Sequence, residues 1–291
     1  MYTTPSIDDL HKFSEAGDWE VKRSEIEMSC NIGQGSFGNV MMATWRGTPV
    51  AVKQLIDVNI DITELRTDFL ALTKLHHPNI IQILGACTET KPVWIMTELM
   101  TGNLQKYDST NTKFSQSIEW CIDVTRGLAY LHNRIPKCVI HRDLKPTNLL
   151  LTVSKRVKIC DFGLSCFQQS SEETYNMTSE TGTYRYMAPE IITAKPYNSS
   201  VDIFSFSMIA YKLFETIPYP YYEPVEICKS IKNGERPEFR NLKRQSDLKL
   251  LISDCWNSDP SKRPNALQII DKLNKIKHTK NKSMSGCLNF L

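Results

Sequence analysis

Residues 139–163 constrain this chain most. They read Val-Ile-His-Arg-Asp-Leu-Lys-Pro-Thr-Asn-Leu-Leu-Leu-Thr-Val-Ser-Lys-Arg-Val-Lys-Ile-Cys-Asp-Phe-Gly. A strand-like run, Val157–Cys160, joins two short loops that carry Asp143, Lys145, Asn148 and Asp161. Two carboxylates, one amide and one ammonium there suit a single job. They can hold a divalent metal on a triphosphate and accept a proton from an attacking hydroxyl. Phosphoryl transfer needs mainly positioning and charge neutralisation, so these groups suffice without a covalent nucleophile.

Bulk properties exclude several alternatives. At 291 residues the chain can form one large or two modest domains around a sizeable core. The net charge of +3 is too small to argue for nucleic acid or a membrane surface. Nine cysteines are scattered without a Cys-x-x-Cys, which argues against a zinc cluster or disulfide framework and for a reducing, cytoplasmic compartment. The N-terminus carries Asp8 and Asp9 and no apolar core of a secretory signal. No apolar run reaches the ~18 residues that a membrane span needs.

The hydropathy pattern changes once along the chain. Residues 1–27 are polar and mixed, an extension or a packed flap. Short β-type runs follow at Ser29–Gly33, Asn39–Trp45, Pro49–Leu55, Ile80–Leu84 and Val93–Met96, with turn signals at Gly35–Gly38 and Arg46–Gly47. Between them, Leu65, Phe69, Leu72 and Leu75 have helical spacing. After Gly102 the pattern is helical. Ile118, Cys121, Val124, Leu128 and Leu131 form one stripe, and 201–214 is apolar nearly all round, as expected of a core helix. A last amphipathic helix starts at Pro264 and runs through Leu267, Ile270 and Leu273; the Lys-rich residues 277–291 are expected to fray. Its lysines suit a solvated helix face, with acidic lipid as the competing partner. The reading is α+β: a strand-rich lobe with one main helix (28–96), a hinge (97–103), a mostly helical lobe (104–276) and a basic tail.

Three further segments carry chemistry. Gly33-Gln-Gly35-Ser-Phe-Gly38-Asn-Val40 lies between two predicted strands, where glycines let backbone N–H groups approach phosphates. Its strand-to-strand setting disfavours a dinucleotide site, and a plain β-turn is the competing reading. Lys53 closes the apolar run Val50-Ala-Val and needs a counter-charge if buried; a snorkelling edge lysine is the alternative. Met96-Thr-Glu-Leu-Met100 follows an apolar strand.

Taken together, residues 28–276 resemble the eukaryotic protein kinases. The resemblance implies a bilobal kinase fold, ATP, and Mg²⁺ with Mn²⁺ as the alternative ion. It makes Asp143 the residue that accepts the substrate proton, Lys145 the neutraliser of the transferring phosphoryl, and Asn148 and Asp161 the metal ligands. Lys53 would grip the α- and β-phosphates. The family holds that lysine with a Glu nine residues before the His of a His-x-Asn-Ile stretch; from His77 the count lands on Asp68, a shorter acid, with Glu64 as the alternative. The nucleotide pocket would be lined by Ile32, Gly33, Gln34, Gly35, Ser36, Phe37, Gly38, Val40, Ala51, Thr97, Asn103 and Leu150. The Glu98 carbonyl and the Met100 backbone would bond adenine. Glu190 should pair with Arg263, and Asp202 should cap the backbone at His141 and Arg142. Phe204 and Ser207 stand where the family usually has Trp and Gly.

Lys145 after Asp143, and Thr183 placed to bond both, resemble serine/threonine kinases. Asp18-Trp-Glu-Val, Ala43-Thr-Trp-Arg-Gly47 and Cys255-Trp256 resemble the tyrosine-kinase-like group that includes Raf and the mixed-lineage kinases. The implied partners are proteins with Ser/Thr acceptors and, through Thr174, Tyr175, Thr178, Ser179 and Thr181, an upstream kinase or self-phosphorylation that pairs a phosphate with Arg142. A homodimer is compatible with the group. The alternatives are a pseudokinase scaffold, for which Asp68 argues, and a dual-specificity or tyrosine kinase.

Overall fold

Pairing along the first hundred residues is set by a tight turn. Arg46 and Gly47 both have positive φ (48° and 79°), the twist that joins two antiparallel strands without splaying them. The computed structural model describes residues 19–35, 38–55, 72–135, 138–162, 166–167 and 183–287, which belong to two compact units, Met1–Met100 and Thr101–Leu291.

In the first unit, β1 (Ile26–Gly35), β2 (Gly38–Trp45), β3 (Thr48–Leu55), β4 (Ile83–Cys87) and β5 (Val93–Glu98) form an antiparallel sheet of order β1-β2-β3-β5-β4. Alternation gives it two faces. Val50, Val52, Ala43 and Met96 are buried together with Val21, Ile26 and Cys87 on one of them. The fourth strand differs from the expected Ile80–Leu84. Ile80 N donates to His77 O at 3.0 Å in a turn, so ladder pairing starts only at Ile83, although Ile80 and Ile81 are themselves buried. The helix expected near 63–75 falls mainly outside the described residues; only Leu72 and Thr73, at its end, are described and helical.

The N-terminal segment packs against this sheet. Val21 N donates to Ala86 O (2.8 Å) and Ala86 N to Trp19 O (2.9 Å), a parallel addition to the β4 edge. The Glu20 carboxylate accepts both Thr88 N and Thr88 Oγ1 at 2.6 Å. Gly85 makes room: a Cβ there would meet Val21 Cγ2 at 2.6 Å and Trp19 O at 2.8 Å. Gly85→Ala is therefore expected to push the segment off the edge and cost about 1–3 kcal/mol, read as a lower thermal unfolding midpoint.

The second unit is built around α1 (Phe114–His132) and α3 (Ser200–Phe214), with α2 (Pro189–Ile192) between them in sequence. Every residue of 201–214 is buried, as its composition implied. Helix α1 is buried beyond the expected stripe: Ser117, Trp120, Ile122, Asp123 and Thr125 are buried too, so it is a core helix. Helices α4 (Pro224–Lys232), α5 (Ser246–Cys255) and α6 (Ala266–Cys287) complete the unit. In α6 the buried stripe is Ala266, Ile269, Leu273 and Ile276, while Leu267 is 54% exposed; the expected stripe was one residue out of phase at its start. Asn265 and Gln268 bond each other's backbone N–H reciprocally and fix the first turn. The helix continues past residue 276, where fraying was expected, because its lysines are engaged. Lys272 bonds Asp254 at 2.8 Å, Lys277 pairs with Glu119, and Lys280 lies 4.5 Å from the Phe114 ring. Among the described residues no helix is long and apolar enough to cross a membrane.

Candidate active site

One small hairpin explains why the spacing from Asp143 to Asp161 matters. Strands β8 (Leu149–Leu151) and β9 (Val157–Ile159) pair with Leu149 opposite Ile159 and Leu151 opposite Val157. Lys155, at φ 58°, turns the chain between them. The residues flanking the hairpin, Asn148 and Cys160–Asp161, are thereby brought together: Cys160 N donates to Asn148 O at 2.9 Å. Pro146 opens a 3-10 turn, Pro146–Asn148, that ends at the hairpin and leaves Lys145 just before it. On the other side, β6 (Gly102–Asn103) pairs with β8, Asn103 facing Leu150. The Asn103 side chain accepts Gln105 N at 3.0 Å, so that oxygen is used as a cap.

Asp143 is 6% exposed and held from two sides. Lys145 Nζ lies 3.0 Å from Oδ2, and Asn148 Nδ2 donates to Oδ2 at 3.1 Å and to the Asp143 carbonyl at 2.8 Å. The other carboxylate oxygen, Oδ1, is buried with no hydrogen-bond partner among the described residues. An unsatisfied buried carboxylate oxygen is costly, and such exceptions point to a missing ligand or a catalytic role.

The loop that presents Asp143 is strained and pinned. Arg142 (φ 68°) and Asp161 (φ 64°) are both left-handed without being glycine. As expected, Asp202 caps this loop, accepting His141 N and Arg142 N at 2.9 Å each. His132 Nε2 donates to the same carboxylate at 2.8 Å. Burial raises the Asp202 pKa, but the hydrogen bond and charge of His132 and the His141 contacts outweigh it, so the carboxyl lies below its ordinary value. His141 Nε2 donates to the Cys160 carbonyl (2.9 Å), and the His141 ring meets Phe162 edge-on at 5.2 Å, linking the two loops. Arg142 Nη1 donates to Tyr197 Oη at 2.8 Å.

The expected Glu190–Arg263 pair is present, bidentate and buried, at 2.5 and 2.9 Å. Phe204 lies under it, its ring 5.2 Å from the Arg263 guanidinium and 5.1 Å from that of Arg236. Ser207, where a glycine was the family habit, is fully buried and satisfies its hydroxyl on the Phe204 carbonyl at 2.5 Å. Sequence reasoning did not single out Asp123, His132 or Tyr197. Asp123 accepts Val157 N at 3.0 Å and Arg156 Nε at 2.8 Å and so fastens the hairpin to α1. Its signal was an acid inside an apolar helical run.

In the first unit, strand register collects the other predicted residues. Gly33 faces Val40, Val40 faces Lys53, and Ala51 faces Thr97. Cross-strand partners share a face, so these five line the sheet face opposite Val50 and Val52. Gly38 (φ 147°) closes the β1–β2 hairpin opposite Gly35, where a side chain would strain the backbone. Ile32 and Gln34 are exposed on β1. Glu98 points the other way: its carboxylate accepts Gln82 N at 2.8 Å, while its carbonyl accepts the Thr97 hydroxyl at 3.3 Å. Met100, half-buried, follows β5. Ser36, Phe37, Glu64, Asp68 and the acceptors Thr174, Tyr175, Thr178, Ser179 and Thr181 lie outside the described residues. Thr183 opens a 3-10 turn, Thr183–Tyr186, but its side chain is outside the described part.

Residues 26–273 match the sequence profile of the family described as protein tyrosine and serine/threonine kinase. The chain belongs to that family and has its bilobal α+β fold, with a strand-rich and a helical lobe. It is 44% identical over 276 residues to the serine/threonine-protein kinase VIK of Arabidopsis thaliana, covering 90% of this chain and 63% of that protein. It is 35% identical over 276 residues to the serine/threonine/tyrosine-protein kinase HT1 of Arabidopsis thaliana (90% and 69%). It is also 34% identical over 273 residues to mitogen-activated protein kinase kinase kinase 7 of Bos taurus (86% and 44%). The chain thus spans less than two thirds of the length of several relatives. These relatives agree with the tyrosine-kinase-like grouping read from the sequence. The family implies ATP, a divalent metal and protein substrates.

Proposed function

We propose that this chain transfers the γ-phosphoryl group of ATP to serine and threonine hydroxyls of proteins. The observation that carries the proposal is Oδ1 of Asp143, buried without a hydrogen-bond partner among the described residues, beside an Oδ2 already engaged by the Lys145 ammonium and the Asn148 amide. A substrate hydroxyl donating to Oδ1 satisfies the buried oxygen, is oriented by it, and can leave its proton there. Lys145, 3.0 Å from Oδ2 of the same carboxylate, supplies positive charge for the transferring phosphoryl.

The donor set fits a hard divalent ion, assigned as Mg²⁺ with Mn²⁺ as the alternative. Asn148 directs its amide nitrogen to Asp143, which leaves its Oδ1 for a cation, and Asp161 offers a carboxylate just past the hairpin. Among the described residues no three His, Cys, Asp or Glu side chains gather into a metal cage, which suits an ion that keeps phosphate oxygens and water as ligands. When bound, such an ion neutralises phosphate charge. Lys53, Gly33, Val40, Ala51 and Thr97 provide the nucleotide-binding face.

Lys145, Thr183 and the names of most relatives favour serine and threonine acceptors. The name of HT1 favours dual specificity as the second reading. Cytoplasmic location, control by phosphorylation within 164–181 and a homodimer belong to the same proposal. The test is transfer of labelled γ-phosphate from MgATP to a generic basic protein, followed by phosphoamino-acid analysis, with Asp161→Asn as control. Phosphoserine and phosphothreonine that vanish in the control are expected. Phosphotyrosine would establish dual specificity. Thermal stabilisation by MgATP without any transfer would instead establish a pseudokinase.

A further inference from the structure

Three elements converge on one buried carboxylate, and only one of the groups involved is a removable side chain outside the catalytic loop. Asp202 (α3) is fully buried and makes a hydrogen bond to each of three donors: His141 N, Arg142 N and His132 Nε2. Oδ2 receives both His132 and His141, and Oδ1 receives Arg142. His132 is the last residue of α1, and its side chain is only 10% exposed. The C-terminal end of α1 thus sets an imidazole N–H donor against the buried carboxylate.

We infer that His132 is a positioning residue for phosphoryl transfer, acting through Asp202 to keep His141 and Arg142 in the conformation that presents Asp143. The geometry gives the route. Without a donor from α1, Oδ2 of a wholly buried carboxylate is left with one amide, and the charged form loses support. A protonated Asp202 accepts the two loop amides less strongly. Those amides hold Arg142 at φ 68°, a backbone state that persists only where its surroundings impose it. Release at Arg142 acts directly on the next residue, Asp143. Among the described residues His132 bonds Asp202 and none of the residues predicted to bind substrate or nucleotide, so its removal should spare nucleotide affinity.

His132→Leu keeps a good helix former at the end of α1 and removes the donor. His132→Gln keeps an amide donor of similar reach. In His132→Leu, kcat is expected to fall about 10-fold or more while KM for ATP stays within about twofold, and His132→Gln is expected to recover kcat to within about threefold of wild type. This kinetic arm rests on the kinase reading. Amide hydrogen exchange does not: the His141 and Arg142 N–H groups should exchange about 10-fold faster or more in His132→Leu, with near wild-type rates in His132→Gln. Wild-type transfer with an unchanged kcat in His132→Leu would overturn the inference and leave the kinase reading intact. Faster exchange spread evenly over the whole second unit, with no selective effect at 141–142, would reduce His132 to a general stability residue and overturn it too. If wild type shows no transfer, the kinase reading fails and the exchange pattern alone decides.

Discussion

Asp143→Asn is expected to lower phosphate transfer by about 10²–10⁴-fold, the range for losing a positioned general base. The substitution is nearly isosteric, so the effect isolates charge and proton acceptance. The amide has one oxygen to share among Lys145, Asn148 and the substrate hydroxyl, and it cannot take the proton. Stability should change little, because two contributions offset. Lys145, 13% exposed, loses a partner at 3.0 Å, but an incompletely satisfied buried carboxylate is also neutralised. KM for ATP should change far less than the rate, since Lys53 and the glycine segment assigned to the phosphates are untouched and Asn148 can still donate to the amide oxygen. Lys53→Met gives the contrast: there KM for ATP should rise, because the lost ammonium is the group assigned to the phosphates. Initial rates at saturating ATP, with thermal unfolding of the same samples, separate the two. An Asp143→Asn rate within about threefold of wild type would remove the proton-accepting role.

How much of this was legible in the sequence depends on the physical range of each feature. Residues fixed by local geometry were readable. The turn at Arg46–Gly47, the strand Thr48–Leu55 carrying Lys53, and the all-round apolar helix 201–214 follow from short-range pattern alone. The loop residues Asp143, Lys145 and Asn148 were readable because a 3-10 turn and a hairpin only a few residues long bring them together. Less legible were features whose partners are far apart in the chain. Nothing near His132 announces Asp202, 70 residues on, and nothing near Gly85 announces the bridge that Trp19–Val21 makes to Ala86. Periodicity also failed where an element is buried on more than one side. The stripe on α1 was real, yet Asp123 and Trp120 are buried beyond it, because β7 (Val139–Ile140), β9 and other helices surround that helix. The phase error in α6 has a similar origin: Leu267 and Ile270 satisfy the helical spacing, but the packed face is set one residue earlier, by Ala266 and Ile269.

Arg263→Ala is expected to produce the largest loss of stability, about 3–5 kcal/mol, the usual cost of breaking a buried ion pair from one side. The arginine side chain is fully buried and makes four kinds of contact: both Glu190 oxygens, Asn257 O at 2.8 Å, Ser200 O at 3.0 Å, and the face of Phe204. Truncation leaves the Glu190 carboxylate, 6% exposed, with its charge uncompensated, and strips two carbonyls of a donor. At roughly 2–4 °C per kcal/mol for a chain of this size, the unfolding midpoint should fall by about 6–20 °C. Arg263→Lys should rescue little of this. A single ammonium cannot bond two carboxylate oxygens in parallel and also reach Asn257 O and cover the Phe204 ring. Converting both partners, as Glu190→Gln with Arg263→Met, should recover a good part of the loss, because the penalty lies in the orphaned charge rather than in the absence of the pair. The position of the pair extends its effect to the site. Glu190 is the second residue of α2, which starts at Pro189 with two residues between it and the 3-10 turn Thr183–Tyr186, and Ser205 of α3 bonds the Tyr186 carbonyl at 2.7 Å. A single variant should therefore lose transfer activity at temperatures well below its unfolding midpoint, whereas the double variant should keep its fold better than its activity. Equal recovery of both in the double variant would show that the pair holds the fold alone and has no part in placing the segment that contains Thr183.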